Sequence, residues 1–313
     1  MAGLQQFQRI LYATTCQDDD LAALTQAISL ARNNSARLSA LLVRPELPQN
    51  LAQQANGYDE FLRAKKRQLI EQVSAQLGYT EKVTDIDVLG TEQASGIIIE
   101  QVLGGQFDLV VKEADSTESG QGFDPVDMAL LKYCPAPLWL SKPISRHREQ
   151  MRLAVAVDPE ASGETAEKLS LRLLQLARSL ADSCDGELRI VSCWDYELEG
   201  FLRRNSWVSL PAEHVSSSVL RAGDQSRARL NSLVARAGIA GKQTVHHLRG
   251  SAGYLIPHFV ANQQIDVLVM GTVARTGIPG FLFGNTAENI VQKLRCSLLA
   301  VKPEGFVSPI RPR

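Results

Sequence analysis

Phe107-Asp108-Leu109-Val110-Val111-Lys112 and Ile265-Asp266-Val267-Leu268-Val269-Met270 follow one pattern: a bulky apolar residue, an aspartate, then an apolar run. Short runs that stay apolar on successive positions suit strands of a sheet covered on both faces. Outward from this pair the match continues in both directions. Arg9-Ile10-Leu11-Tyr12-Ala13-Thr14 and Arg152-Leu153-Ala154-Val155-Ala156-Val157 read as first strands, each an apolar run behind an arginine and before a polar turn.

Helical spacing follows at about 21–33 and 164–183, carried by Leu24, Ile28 and Ala31 or by Leu169, Leu173, Leu176 and Leu180. Second strands are predicted at 38–43 and 188–193, longer amphipathic helices at 57–77 and 212–237, and third strands at 84–89 and 243–248. A third helix leads to each quoted strand, and each half closes on a last strand, 138–142 or 298–302, stopped by Lys142-Pro143 or Lys302-Pro303. Strands alternating with helices twice over predict two tandem doubly wound α/β domains, each a mainly parallel five-stranded sheet flanked by helices. Their expected limits are 1–144 and 151–313, with 144–150 as linker.

A length of 313 residues suits two such domains. The 33 Lys and Arg nearly balance 34 Asp and Glu, so neither nucleic acid nor a membrane is an expected partner. Met1-Ala2-Gly3-Leu4-Gln5-Gln6 lacks the features of a secretory signal, and no apolar run reaches the ~20 residues of a membrane span, so a cytoplasmic location is expected. Cys16, Cys134, Cys184, Cys193 and Cys296 lack the spacing of metal or redox motifs, and Cys134 and Cys296 read as buried fillers before the last strands.

Ligands of doubly wound sheets sit beyond the carboxyl ends of the strands, where strand order reverses. After the fourth strand of the second half comes Gly271-Thr272-Val273-Ala274-Arg275-Thr276-Gly277-Ile278-Pro279-Gly280-Phe281-Leu282-Phe283-Gly284-Asn285-Thr286, then a helix at about 287–294. A glycine-rich loop opening onto helix amides is suited to phosphate. The same residues also fit plain capping, with Asn285 as N-cap and Glu288 completing a capping box.

Gly271, position 274, a nine-residue gap and Gly284 followed by a polar residue resemble the ATP-binding loop of the universal stress protein family, Gly-x2-Gly-x9-Gly-Ser/Thr. Asp158, ending the first strand of the second half, is a further mark of that family. The resemblance extends over both halves, and the Gly-Asn-Thr loop with Leu130-Leu131-Lys132-Tyr133-Cys134-Pro135 is most similar to its E class. It implies a universal stress protein-like, adenine nucleotide alpha hydrolase-like fold and a stress-response regulator that binds a nucleotide or nucleotide-bearing metabolite, ATP among them, and is not an enzyme. It also implies a site: Asp158 toward ribose or adenine, the backbone at Cys193 toward adenine, and Gly271, Gly284, Asn285 and Thr286 around phosphates.

Gly250, after the third strand, and Ala274 and Arg275, in the loop, complete the candidate set. Ala274 stands where the family has glycine, and its methyl obstructs a close backbone approach; Asn285 replaces a serine or threonine hydroxyl with an amide. Arg275 fits a phosphate or a solvated surface. His246 and His247 should face opposite sides of the sheet, one a satisfied core residue and one at the pocket edge, with no metal.

In the first half Glu113 stands where Gly271 does and Thr15 where Asp158 does, acids crowd the loop, and Asp124 caps the next helix, so this half is expected to serve as a structural partner. Asp18-Asp19-Asp20 reads as an acidic helix start. Two further functions stay open: a slow ATPase or nucleotidyl-transfer enzyme on the same fold, and a scaffold without ligand. The resemblance also implies that the last strands, 138–142 and 298–302, pair in a homodimer or within the chain. The apolar residues Phe201, Leu202, Trp207, Val208 and Leu210 of the insert 196–211 suit loop packing or a pocket wall.

Overall fold

The computed structural model describes residues 7–15, 20–80, 83, 85–115, 117, 120–204, 211–273 and 283–310. In the first half β1 (Arg9–Thr14), α1 (Leu21–Asn34), β2 (Arg37–Arg44), α2 (Ala55–Leu77), β3 (Ile86–Gly90), α3 (Ala94–Gly105), β4 (Leu109–Glu113), α4 (Pro125–Tyr133) and β5 (Leu138–Ser141) alternate as the periodicity requires. The second half repeats them as β6 (Arg152–Ala156), α5 (Glu164–Ser183), β7 (Glu187–Trp194), α6 (Leu198–Arg204), α7 (Ala212–Arg236), β8 (Gln243–Arg249), α8 (Ala252–Asn262), β9 (Val267–Gly271), α9 (Asn285–Val291) and β10 (Ser297–Val301). The additional element is α6, a short helix inside the insert that was expected to be loop or pocket wall.

The aspartates of the opening motif lie just before β4 and β9, and their role is visible. Asp108 carboxylate oxygens accept the amides of Gln8 and Arg9 at 2.7 and 3.0 Å. Asp266 accepts the amide of Arg152 at 2.8 Å and the Arg146 guanidinium at 2.9 Å. Each aspartate therefore fixes the start of the neighbouring first strand, and Arg146 also docks the linker onto the second half. This pairing satisfies backbone donors that the sheet itself leaves open.

Each half is a parallel sheet, and the two are one. The strand order is β3-β2-β1-β4-β5-β10-β9-β6-β7-β8, ten strands in a single sheet. All pairings within a half are parallel, whereas β5 and β10 run antiparallel, with Leu140 opposite Leu298, Trp139 opposite Leu299 and Leu138 opposite Ala300. The last strands thus pair within the chain, and each covers the edge that the other would expose. Helices α1, α2, α5 and α7 cover one face with Ile10, Tyr12, Val155, Val269 and Leu299 beneath them; α3, α4, α8 and α9 cover the other over Leu11, Val110, Leu268 and Leu298. Both cores run unbroken across the β5–β10 seam. Cys134 and Cys296 are buried beside it, where burial pushes both thiols up to about 12.

Candidate functional site

In each half strand order reverses between the first and fourth strands, so the two crevices open beyond β1 and β4 and beyond β6 and β9. In the second crevice Asp158 follows β6 and is half-buried. Its carboxylate accepts the Glu160 amide at 3.0 Å, which shapes the turn into α5. Opposite it, β9 ends at Gly271. A methyl group there would lie 3.0 Å from the Leu169 side chain, so the glycine lets α5 approach the strand end. Thr272, fully buried, begins the loop: its carbonyl accepts the Gly284 amide at 3.1 Å, and Val273 bridges Phe283. The loop is thus pinched shut at its base. Ala274 and Arg275 lie outside the described residues, as does the rest of 274–282.

The helix start differs from the capping reading. Gly284 is the N-cap of α9, at φ −75°, which any residue adopts, and it brings no capping side chain of its own. Asn285 and Thr286 fall inside its first turn, both exposed. Glu288 forms no capping box: its carboxylate pairs with Lys132 of the first half at 3.3 Å. Glu288, in the first turn of α9, thus turns its carboxylate toward the first half.

Cys193 is half-buried in β7, opposite Leu248, and burial raises its thiol to about 11, which leaves it protonated and unreactive. Gly250, at φ +131°, donates its amide to the Trp194 carbonyl at 2.8 Å and closes the β7–β8 corner, a conformation that favours glycine. As expected, the two histidines point to opposite faces. His247 stacks on Trp194 with centroids 5.7 Å apart and meets the Ser226 hydroxyl at 3.1 Å, while His246 packs against Phe259 at 4.7 Å. His246 is not the satisfied core residue expected, because its buried Nε2 has no hydrogen-bond partner among the described residues; burial lowers the pKa of both rings.

The first crevice is filled by the chain's own charges. The Glu113 carboxylate accepts the Ala23 amide at 2.8 Å, so the strand-end position that is Gly271 in the second half here carries an anion onto the first turn of α1. Asp20 stands at the N-cap position of α1, at its acidic start, but is buried and held by the Tyr12 hydroxyl and, at 2.6 Å, by Lys66 without capping the helix by its side chain; Asp18 and Asp19 lie outside the described residues. Lys112, 1 % exposed, sits 2.7 Å from Asp115 and 2.9 Å from Asp127. Asp124 caps α4 through the Asp127 amide at 2.7 Å, as expected. The acidic trio Asp115, Asp124 and Asp127 has the spacing of a cation site, and the Lys112 ammonium already stands among it.

The corresponding residues of the second half are smaller or apolar: Val155 for Tyr12, Met270 for Lys112, Gly271 for Glu113. Ser226 lies as far before Gly238 as Lys66 does before Gly78. One consequence is a pH signature. Burial outweighs the pull of Lys112 and pushes the Asp127 carboxyl up to about 7. A folded carboxyl above its unfolded value binds its proton more tightly when folded, so its contribution to stability is full at low pH and is lost as pH rises from about 4 through 7. Asp127→Asn removes this decline, and urea midpoints between pH 5 and 8 should be flatter in the variant than in the natural chain.

A separate cavity of about 500 Å³ lies at the amino ends of β6, β7 and β8, lined by charges of both signs including Glu149, Arg152, Glu187 and Lys242. It lies at the end of these strands opposite the second crevice. The sequence shows Lys302-Pro303 mirroring Lys142-Pro143 only as a strand stop, and Thr272 only as part of the loop, so neither was assigned to the site. Burial lowers Lys302 to about 8, and its ammonium contacts the Leu131 carbonyl and, at 2.9 Å, the Thr272 hydroxyl.

No helix among the described residues is long and apolar enough to cross a membrane. Comparison with known proteins matches the model of the universal stress protein family to residues 6–142 and again to 151–302. The chain is 25% identical to universal stress protein E of Photorhabdus laumondii, with 97% of this chain and 98% of that one covered. It is 26% identical to universal stress protein E of Escherichia coli strain K12, over 97% and 96% of the two chains. Among solved structures, a functionally unknown protein of Pseudomonas aeruginosa PAO1 superposes with a TM-score of 0.70 at 22% identity, covering 97% of this chain and 95% of that one. The chain therefore belongs to the universal stress protein family and carries two copies of its domain in tandem.

Proposed function

We propose that this protein is a cytoplasmic stress-response regulator that binds a nucleotide or nucleotide-bearing metabolite in its second half and acts by binding rather than by catalysis. The observation that carries the reading is the contrast between the crevices. Where Glu113 and the Lys112–Asp115–Asp127 cluster occupy the first, the second has Gly271 and an α9 start whose N-cap, Gly284, carries no side chain. A helix start with a glycine N-cap beside a glycine strand end favours an external anion. In this reading Gly271, Gly284, Asn285, Thr286, Ala274 and Arg275 surround the phosphates, while Asp158, the Cys193 backbone and Gly250 border the nucleoside.

Isothermal titration calorimetry of the full chain against a panel of adenine, guanine and uridine nucleotides, with and without Mg²⁺, tests it. One nucleotide class should bind with a stoichiometry of one per chain. Binding of two per chain, or of none at millimolar concentration, would overturn the reading.

A further inference from the structure

The two lysines that follow the last strands sit in a mirrored arrangement across the seam. Lys142 donates to the Leu294 carbonyl of the second half at 3.1 Å and to the Gly122 carbonyl of its own half at 2.8 Å, with the Phe123 ring 4.8 Å away. Lys302 donates to the Leu131 carbonyl of the first half and, at 2.9 Å, to the Thr272 hydroxyl of its own, with Phe283 at 5.9 Å and Phe306 at 4.9 Å. Each ammonium thus ties a carbonyl at the end of the other half's last helix, Leu131, or three residues beyond it, Leu294, to the loop base of its own half. A cation suits that position because the carbonyls of a helix end carry the negative pole of its dipole.

The two ties differ in what they hold. Lys302 bonds Thr272, whose own carbonyl receives the Gly284 amide, and Val273 and Phe283 pair directly beyond it. A second contact from the first half reaches the same place: Lys132 pairs with Glu288 on α9 at 3.3 Å and lies 5.8 Å from the Phe283 ring. We infer that Lys302 is a positioning residue through which α4 of the first half fixes the base of the second half's loop, Thr272 to Gly284. The half whose crevice is filled with its own charges is then a working part of the other half's site, because Leu131 and Lys132 set where that loop leaves and re-enters the sheet. The charged donor binds two buried acceptors in a region closed to water, and such bonds hold position better than neutral ones.

Native-state hydrogen exchange on the full chain without nucleotide tests this, with the Gly284 amide as reporter. Thr272→Val removes the hydroxyl that Lys302 grips and should lower Gly284 protection about tenfold, the effect of one buried charge-assisted bond. Thr272→Ser keeps the acceptor and should retain the protection. Lys302→Met should lower it at least as much, whereas Lys142→Met, an equally placed lysine on the mirrored tie, should leave Gly284 unchanged and expose Gly122 instead. If Lys302→Met fails to fold, the Thr272 pair still decides. Equal loss in the two lysine variants, or full protection in Thr272→Val, overturns the inference.

The inference deepens the ligand reading, yet its reporter is read without ligand, so the two fail separately. Should a nucleotide bind, Thr272→Val should weaken its affinity about tenfold and Lys142→Met should not; the reverse order would also overturn the positioning role.

Discussion

Gly271→Glu is expected to weaken nucleotide binding by at least about a hundredfold, which would make it the most damaging single change in the second crevice. The substitution gives the second half the residue that the first half carries at the same strand end. In the first half that carboxylate lies on the first turn of the neighbouring helix, at 2.8 Å from the Ala23 amide. A carboxylate about 4 Å from a phosphate repels it by roughly 4 kcal/mol at the effective dielectric of a protein surface, and screening by water reduces this to the two or three powers of ten expected. The fold should survive, because the added Cβ is crowded by the Leu169 side-chain end at 3.0 Å, which can turn away, and meets Leu173 at an ordinary 3.8 Å. Gly271→Ala separates bulk from charge and should cost far less. Calorimetry on both variants, with thermal melts to confirm folding, checks the prediction; unchanged affinity in Gly271→Glu would place the ligand elsewhere.

Trp139→Ala should have the largest effect on stability, a loss of about 3–5 kcal/mol. Trp139 is 1 % exposed in β5, opposite Leu299 across the antiparallel seam, so its removal opens a cavity between the halves and not within one of them. Both cores cross this seam, and the natural chain should unfold as one unit. In Trp139→Ala, urea unfolding followed by circular dichroism should break into two transitions. Trp139→Phe should cost much less than the lost volume suggests. The indole Nε1 has no hydrogen-bond partner among the described residues, and deleting a buried unmade donor offsets roughly 1–3 kcal/mol. A single sharp transition in Trp139→Ala, or equal losses in the two variants, would count against this account of the seam.

The repeat, the strand and helix order and the parallel character of each half were all legible in the sequence. Those features rest on local periodicity: apolar runs behind Arg9, Arg152, Asp108 and Asp266, and leucines at helical spacing between them. The loop after β9 was legible as a phosphate-type loop through its glycines, and Glu113 as the residue that replaces one of them. Asn285 was misplaced by one position, since a polar residue after glycine signals a cap equally well whichever of the two ends the strand-like backbone. His246 looked satisfied because nothing local shows that a buried ring lacks a partner.

By itself, then, the sequence determined two copies of one α/β unit and an imbalance between them, because hydrophobic periodicity, glycine placement and lost acidic or glycine positions are read within a few neighbouring residues. Only the tertiary structure decided that the copies share one ten-stranded sheet, that Glu113, Lys66 and Lys112 fill the first crevice, and that Lys302 ties Leu131 to Thr272. Those contacts join residues far apart in the chain, and their partners are chosen by packing and by the burial of charge, which no local pattern encodes.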